Sequence, residues 1–143
     1  MSEDYPDVSE ESLFRGARSC LLGAQLLGKD LHNDLIIPFG ILAGNCTEAA
    51  LKCHLLQSGW SVSRTRRLSH DLIESWKAAA EFGTPFEGTP PDWIKILNAG
   101  HGAPYVFRYL PHRYGVGVPR PDEMLPALET IIEVLRKRCS FIV

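Results

Sequence analysis

The stretch that most limits how this chain can fold is IIPFGILAGNCTEAALKCHLLQ, residues 36–57. Phe39, Leu42, Cys46, Ala49, Ala50 and Cys53 recur at helical spacing, and Ile41, Leu51 and Leu55 fall on other faces. A helix that is apolar nearly all round has no face suited to water, so it belongs at the centre of a bundle. Ser58-Gly59 supplies its stop. Yet Asn45, Glu48 and Lys52 run along one line of it. Glu48 and Lys52 are four apart in the favourable order and can pair along the helix. On a wet face such a pair adds roughly a few tenths of a kcal/mol and needs no further account. On a central helix it must meet polar groups from elsewhere, because an unmatched buried charge is costly. Arg18, His70 and Asp71 are the candidates. Spacing alone leaves both a structural network and a functional site open.

The rest of the chain supplies neighbours for that helix. Ser9, followed by Glu10 and Glu11, reads as a capped helix start with acids against the positive dipole end. Leu13, Ala17, Cys20, Leu21, Ala24 and Leu27 then form a stripe, and Gly16 and Gly23 beside it predict a close helix–helix approach. Residues 60–68 read as a polar, arginine-rich loop. Ser69 can cap a third helix through Phe82, with Leu72, Ser75, Trp76 and Ala79 inward and Gly83 at its end. Pro91-Asp92 opens a short helix that Gly100 stops. The last helix runs from about Asp122 to Arg138 on Leu125, Leu128, Ile131, Ile132 and Leu135, with Pro126 placed in its first turn. Between them, Tyr105, Phe107 and Tyr109 alternate with Val106, Arg108 and Leu110, a pattern of extended chain with room for a short hairpin. The prediction is all-α: an up-and-down four-helix bundle with an additional short helix and a non-helical excursion at about 102–119. One domain covers 1–143, with an acidic tail over about 1–8.

Composition narrows the function classes. The chain has 143 residues and a formal charge of −2, which excludes a basic protein that coats nucleic acid without selectivity. The charge is uneven: Arg64, Arg66, Arg67, Arg108, Arg113 and Arg120 share the middle with His70, His101 and His112. Cys20, Cys46, Cys53 and Cys139 make no Cys-x-x-Cys pair, so reduced thiols, no metal and no cofactor are expected. The acidic start lacks the apolar core of a secretory signal. Pro38, two glycines and Glu48 interrupt LIIPFGILAGNC too early for a membrane span. A cytoplasmic setting with no membrane partner is expected. No Gly-rich phosphate loop, Gly-x-Ser-x-Gly elbow or His-Glu-x-x-His motif is present, which excludes the familiar nucleotide hydrolases and metallohydrolases.

Two segments could carry chemistry. His70, read at the first turn of the third helix with Asp71 behind it, sits where the dipole favours the neutral ring and so a general base. The same pair also serves simply to cap a helix. YVFRYLPHRY interleaves aromatics with Arg108, His112 and Arg113, the composition of a single-stranded RNA contact, since rings stack on bases and arginine binds phosphate. Alternation equally suits a loop whose rings pack inward. The arginines at Arg64–Arg67 suit a phosphate or a wet loop alike.

EAALKCHLL resembles the Glu-x-x-x-Lys signature on the second helix of small bacterial HEPN-type proteins. SHDLIESW resembles their Gly-His-Asp-Leu helix start, and ILNAGHG with YVFRY their Leu-Asn and Arg-Tyr segment. A final helix after Pro-Asp is also similar, so the resemblance covers roughly residues 12–136. It implies an all-α up-and-down bundle, often dimeric, in a superfamily tied to RNA cleavage, toxin–antitoxin pairs and partner nucleotidyltransferases. Glu48, Lys52, His70 and Asp71 match its recurring polar positions, and Arg108 and Tyr109 its late segment. Ribonuclease members carry Arg-x(4–6)-His on a helix, usually with a polar residue after the Arg. Arg64 and His70 have that spacing, with Thr65 next, but in a stretch read as loop; Arg108 to His112 is one residue short. The function expected is RNA binding or metal-independent endoribonuclease chemistry in a homodimer, with His70 as base and Arg64 or Arg108 facing the phosphate. Its rival is a non-catalytic dimeric module that works with an antitoxin or a nucleotidyltransferase.

Overall fold

The computed structural model describes residues 8–109 and 117–139. It is all-α, with no strand among the described residues. The helices are α1 (Glu10–Gly28), α2 (Ile36–Gln57), α3 (Val62–Arg66), α4 (Leu72–Ala80), α5 (Asp92–His101), α6 (Val106–Tyr109) and α7 (Pro121–Lys137), with a single 3-10 turn before α2. α2 is the centre: α1, α3, α4, α5, α6 and α7 all pack on it. α1 and α7 also meet each other, as do α4 and α5.

Burial along α2 explains that position. Phe39, Ala43, Cys46, Ala50, Leu51, Cys53 and Leu55 are fully buried, so its apolar residues face neighbours on several sides. By length and composition Asn33–Gln57 could cross a membrane, and Pro38 does not interrupt it because it falls in the first turn of α2. In this fold other helices cover much of that apolar surface, including Phe39, Ala43, Cys46, Ala50, Leu51, Cys53 and Leu55, while Ile41 stays exposed. Gly23 does what its place beside the α1 stripe predicts: a Cβ there would stand 2.9 Å from Leu42 on α2. Gly16 does not, since nothing lies within 4 Å of it. Phe14, outside the expected α1 stripe, is fully buried.

Several boundaries move. Residues 60–68 are not all loop, because Ser61 accepts from the Arg64 amide and starts α3. α4 is capped by Asp71 rather than Ser69. Asp71 has extended backbone and its carboxylate accepts from the Ile73 and Glu74 amides at 3.0 and 3.1 Å. Ser69 lies at φ 51°, a left-handed conformation that cannot lead into a helix. His70 therefore precedes α4 instead of sitting in its first turn, and α4 ends at Ala80, short of Phe82. Its inward residues are Leu72, Ser75, Trp76 and Ala79, as their spacing predicts. α5 runs through Gly100 to His101, since Gly102 amide still bonds back to Asn98 carbonyl. α7 starts at Pro121, which puts Pro126 in the second turn, on an exposed face where water can take the freed carbonyl. Met124, not Leu125, joins its buried stripe.

The excursion is the largest correction. Val106–Tyr109 is a helical turn, with the Tyr109 amide bonded to the Tyr105 carbonyl. Val106 and Phe107 both point inward, so alternation was the wrong period. Close backbone approach decides it. A Cβ at Gly40 would meet the Phe107 ring within 2.6–2.8 Å, and one at Gly100 would collide with it too. The ring fills the space two glycines leave between α2 and α5. His112 and Arg113 lie outside the described residues.

Candidate active site around Glu48

Glu48 projects from the middle of α2 toward the end of α5 and the α3–α4 connection. Its Oε1 accepts from His70 Nδ1 at 2.7 Å and from His101 Nε2 at 2.8 Å. Its Oε2 accepts from Lys52 Nζ at 3.1 Å, and Lys52 also donates to the Ser69 carbonyl at 2.9 Å. The group is shielded unevenly. Side-chain exposure is 18% for Glu48, 13% for Lys52 and 8% for His101, against 36% for His70. Burial pushes the Glu48 carboxyl up, but the His101 bond, the Lys52 charge and the His70 bond outweigh it and hold the pKa at about 2. Glu48 is therefore an ionised acceptor for two imidazoles.

Local sequence explains how these side chains arrive. The left-handed turn at Ser69 aims the Ser69 carbonyl at Lys52 and places His70 beside Glu48. Asn98 Oδ1 accepts from the Leu72 amide at 2.9 Å, which ties α5 to the start of α4. One turn on, His101 lies against Gly44 of α2, where a Cβ would run into the imidazole. From the sequence His101 stood out only as one of the histidines in the basic middle of the chain, not as a candidate site residue. The signal was present: Ile94, Leu97 and His101 stand at i, i+3 and i+7, one face of a helix that continues past Gly100.

A cleft of about 220 Å³ opens beside the cluster. Ile41 and Asn45 of α2, Gly100 and His101 of α5, and Tyr105, Phe107 and Arg108 line it. Rings step outward from the carboxylate. His101 meets His70 edge-on at 5.8 Å between centroids, His70 meets Tyr105 at 5.8 Å, and Tyr105 meets Tyr109 at 6.1 Å. Tyr109 is 67% exposed.

The predicted residues thus divide. Glu48, Lys52 and His70 are brought into one cluster, and Asn45 and Arg108 into the adjoining cleft. Tyr109 stands at the outer end of the ring series. Asp71 is used as the cap of α4. Arg64 stacks its guanidinium 3.8 Å over the Trp60 ring and does not line the cleft. Arg18 is exposed on α1, and the bonds of Glu48 go elsewhere. Comparison with known proteins finds no match: no family model fits the sequence, no curated protein aligns with it and no solved structure resembles it.

Chemically, a carboxylate that accepts a ring N–H fixes the tautomer and leaves the other nitrogen with its lone pair. His70, donating through Nδ1, presents Nε2 as a proton acceptor on a partly exposed ring. Of the cluster, His101 lines the cleft together with Arg108, and His70 meets two of the lining rings, His101 and Tyr105, edge-on. A base oriented by an acid and this close to a cationic cleft can deprotonate a hydroxyl next to a bound anion.

Proposed function

We propose that the cleft beside Glu48 binds single-stranded RNA and that the Glu48 cluster cleaves it by 2′-hydroxyl attack. The observation that carries this reading is one carboxylate oxygen shared by two imidazoles, next to a cleft containing Arg108. His70 Nε2 takes the proton of the 2′-hydroxyl, whose oxygen then bonds to phosphorus. The phosphorus–5′-oxygen bond breaks, and the leaving oxygen takes a proton from water. Arg108 faces the charge that grows on the phosphoryl oxygens. Tyr105 and Tyr109 offer rings on which bases stack. No step uses a metal ion. The resemblance to HEPN-type proteins belongs to the same proposal: an up-and-down bundle, cytoplasmic, acting as a toxin or defence component alongside an antitoxin or a nucleotidyltransferase.

Labelled single-stranded RNA incubated with the purified protein in chelator tests it, beside His70→Ala and Arg108→Ala. Cleavage is expected from the parent and loss of about 100-fold or more from His70→Ala, the scale of a general base. Binding weakens as salt rises, because phosphate contacts release counterions. A parent that neither binds nor cleaves, or variants equal to it, overturns the reading.

One observation favours a second reading, a non-catalytic dimeric module. Leu22 and Leu26 are 56% and 67% exposed on α1, beside an apolar groove of about 1020 Å³ between α1 and α7. A second copy of the chain is its proposed occupant, and sedimentation of Leu26→Glu as monomer against a dimeric parent is the result expected. A parent that sediments as a monomer removes it.

A further inference from the structure

The atoms that meet at Glu48 are also a ligand set. Glu48 Oε1, His70 Nδ1 and His101 Nε2 come from α2, the α3–α4 connection and α5, and all lie within 4.8 Å of one another. Among the described residues no other group of histidines, cysteines and acids converges in this way. With bonds of about 2.0–2.2 Å, donors around a tetrahedral ion stand roughly 3.3 Å apart. The distances from Oε1, 2.7 and 2.8 Å, are shorter, so the triangle must open by about half an ångström. His70 has room for that, being partly exposed on a turn rather than inside a helix. Glu48 is held from behind, because Lys52 bonds Oε2 and leaves Oε1 as the ligand atom. The Lys52 ammonium opposes a nearby cation and lowers affinity without removing a donor.

We propose that Glu48, His70 and His101 bind a divalent transition-metal ion of the zinc class. Two imidazoles and one carboxylate suit such an ion, whereas magnesium and calcium require mostly oxygen ligands. The exposed side of His70 leaves a fourth position for water. Ion and ring protons compete for the same atoms. When the ion takes His70 Nδ1, the proton of the neutral ring moves to Nε2, with no net release. Nε2 then donates instead of accepting. The ion therefore switches off the base, a consequence that rests on the acid–base reading above; the binding site itself does not.

Titration of cobalt(II) chloride into the full chain, followed by visible absorption, tests the site without RNA, and calorimetry with zinc chloride gives the stoichiometry. One ion per chain is expected, with a cobalt band of low coordination number. His70→Ala and Glu48→Gln should each weaken binding at least about tenfold, while His32→Ala, an exposed histidine outside the cluster, binds as the parent does. Far-ultraviolet dichroism confirms that each variant is folded, and Glu48→Gln keeps the side-chain shape should the others fail. No cobalt band in the parent, or a band that His70→Ala and Glu48→Gln leave unchanged, overturns the proposal. Cobalt binding in a protein with no cleavage in chelator keeps the site and removes the acid–base reading. Cleavage in chelator that zinc does not inhibit, with cobalt bound, removes the switch.

Discussion

Two ion pairs in this molecule have the same sequence spacing and opposite uses. Glu11 and Arg15 on α1 lie 2.9 Å apart at i, i+4, with about half of each side chain exposed. Glu48 and Lys52 on α2 lie 3.1 Å apart at the same spacing, with less than a fifth of each exposed. The first pair joins two side chains on a wet face of one helix. The second draws in groups from outside its helix, His70 and His101, and the Ser69 carbonyl with them. Helical spacing decides which side chains can pair. Burial decides whether the pair must recruit more of the protein, because water no longer satisfies the remaining lone pairs and protons.

The largest effect that could break this comparison is on stability at Glu48. Glu48→Ala takes away the acceptor of two ring N–H groups and of Lys52. Breaking a buried pair costs about 3–5 kcal/mol, and since Lys52 keeps the Ser69 carbonyl, a loss of about 3 kcal/mol is expected. Glu48→Gln keeps one acceptor oxygen but loses the charge and turns an NH2 toward a donor, so it should lose less, about 2 kcal/mol. Urea melts distinguish these values. If Glu48→Ala melts with the parent, the two pairs are alike and the cluster does not hold the fold together.

Two glycines sharpen the same contrast with one substitution. Gly16→Ala on α1 adds a methyl to open space and should stabilise by up to about 1 kcal/mol through helix propensity. Gly44→Ala on α2 makes the same gain but drives a methyl into the His101 ring, so overpacking should leave it about 1–2 kcal/mol less stable. Thermal melts of the pair should move in opposite directions. Two shifts of the same sign would mean that His101 yields easily and does not depend on a bare backbone at Gly44.

These glycines also mark where sequence reading stopped. The span of α2, its central place and the buried faces of α4 were legible, because periodicity and a capping or stopping residue agree there. The polar line at Asn45, Glu48 and Lys52 was legible as an anomaly on an apolar helix. Its answer was only half legible. His70 was in view, but a serine ahead of it looked like the cap, and the backbone strain that puts Asp71 in that role has no sequence period. His101 was hidden because Gly100 normally stops a helix; here it is there to admit the Phe107 ring. The segment at 105–109 was misread for a related reason. Alternating rings suggest a strand, and only the gap between Gly40 and Gly100 turns Phe107 inward.

His54 extends the comparison to a histidine buried with no acid beside it. Its Nε2 donates to the Ala79 carbonyl at 3.2 Å, and its Nδ1 has no partner among the described residues. Burial lowers its pKa, the Ala79 bond opposes this in part, and the Arg138 charge adds a smaller lowering effect. The unfolded chain thus takes up a proton here more readily than the folded one. Stability from this residue is complete above about pH 6.5 and falls as pH drops toward the lower folded value. Urea midpoints of the parent and His54→Leu, measured above and below about pH 6.5, should differ in slope, with the variant flatter. Equal slopes would show that His54 gains a partner on protonation, as His70 and His101 have in Glu48.

The smallest expected effect tests the exposed member of the opening pair. A double-mutant cycle on Glu11 and Arg15 isolates their coupling from the helix-dipole contribution of Glu11, which both legs of the cycle share. For an exposed pair at this spacing the coupling should be about 0.3–0.5 kcal/mol and should fade at high salt, where the screening length is only about 3 Å. The same cycle on Glu48 and Lys52 should give a larger coupling that salt reduces less, since little solvent reaches between the charges. The distances alone do not foretell this, for the exposed contact is the shorter of the two. Equal couplings with equal salt dependence would mean that water reaches Glu48 as freely as Glu11. The depressed carboxyl, the two oriented imidazoles and the chemistry built on them would then lose their common physical basis.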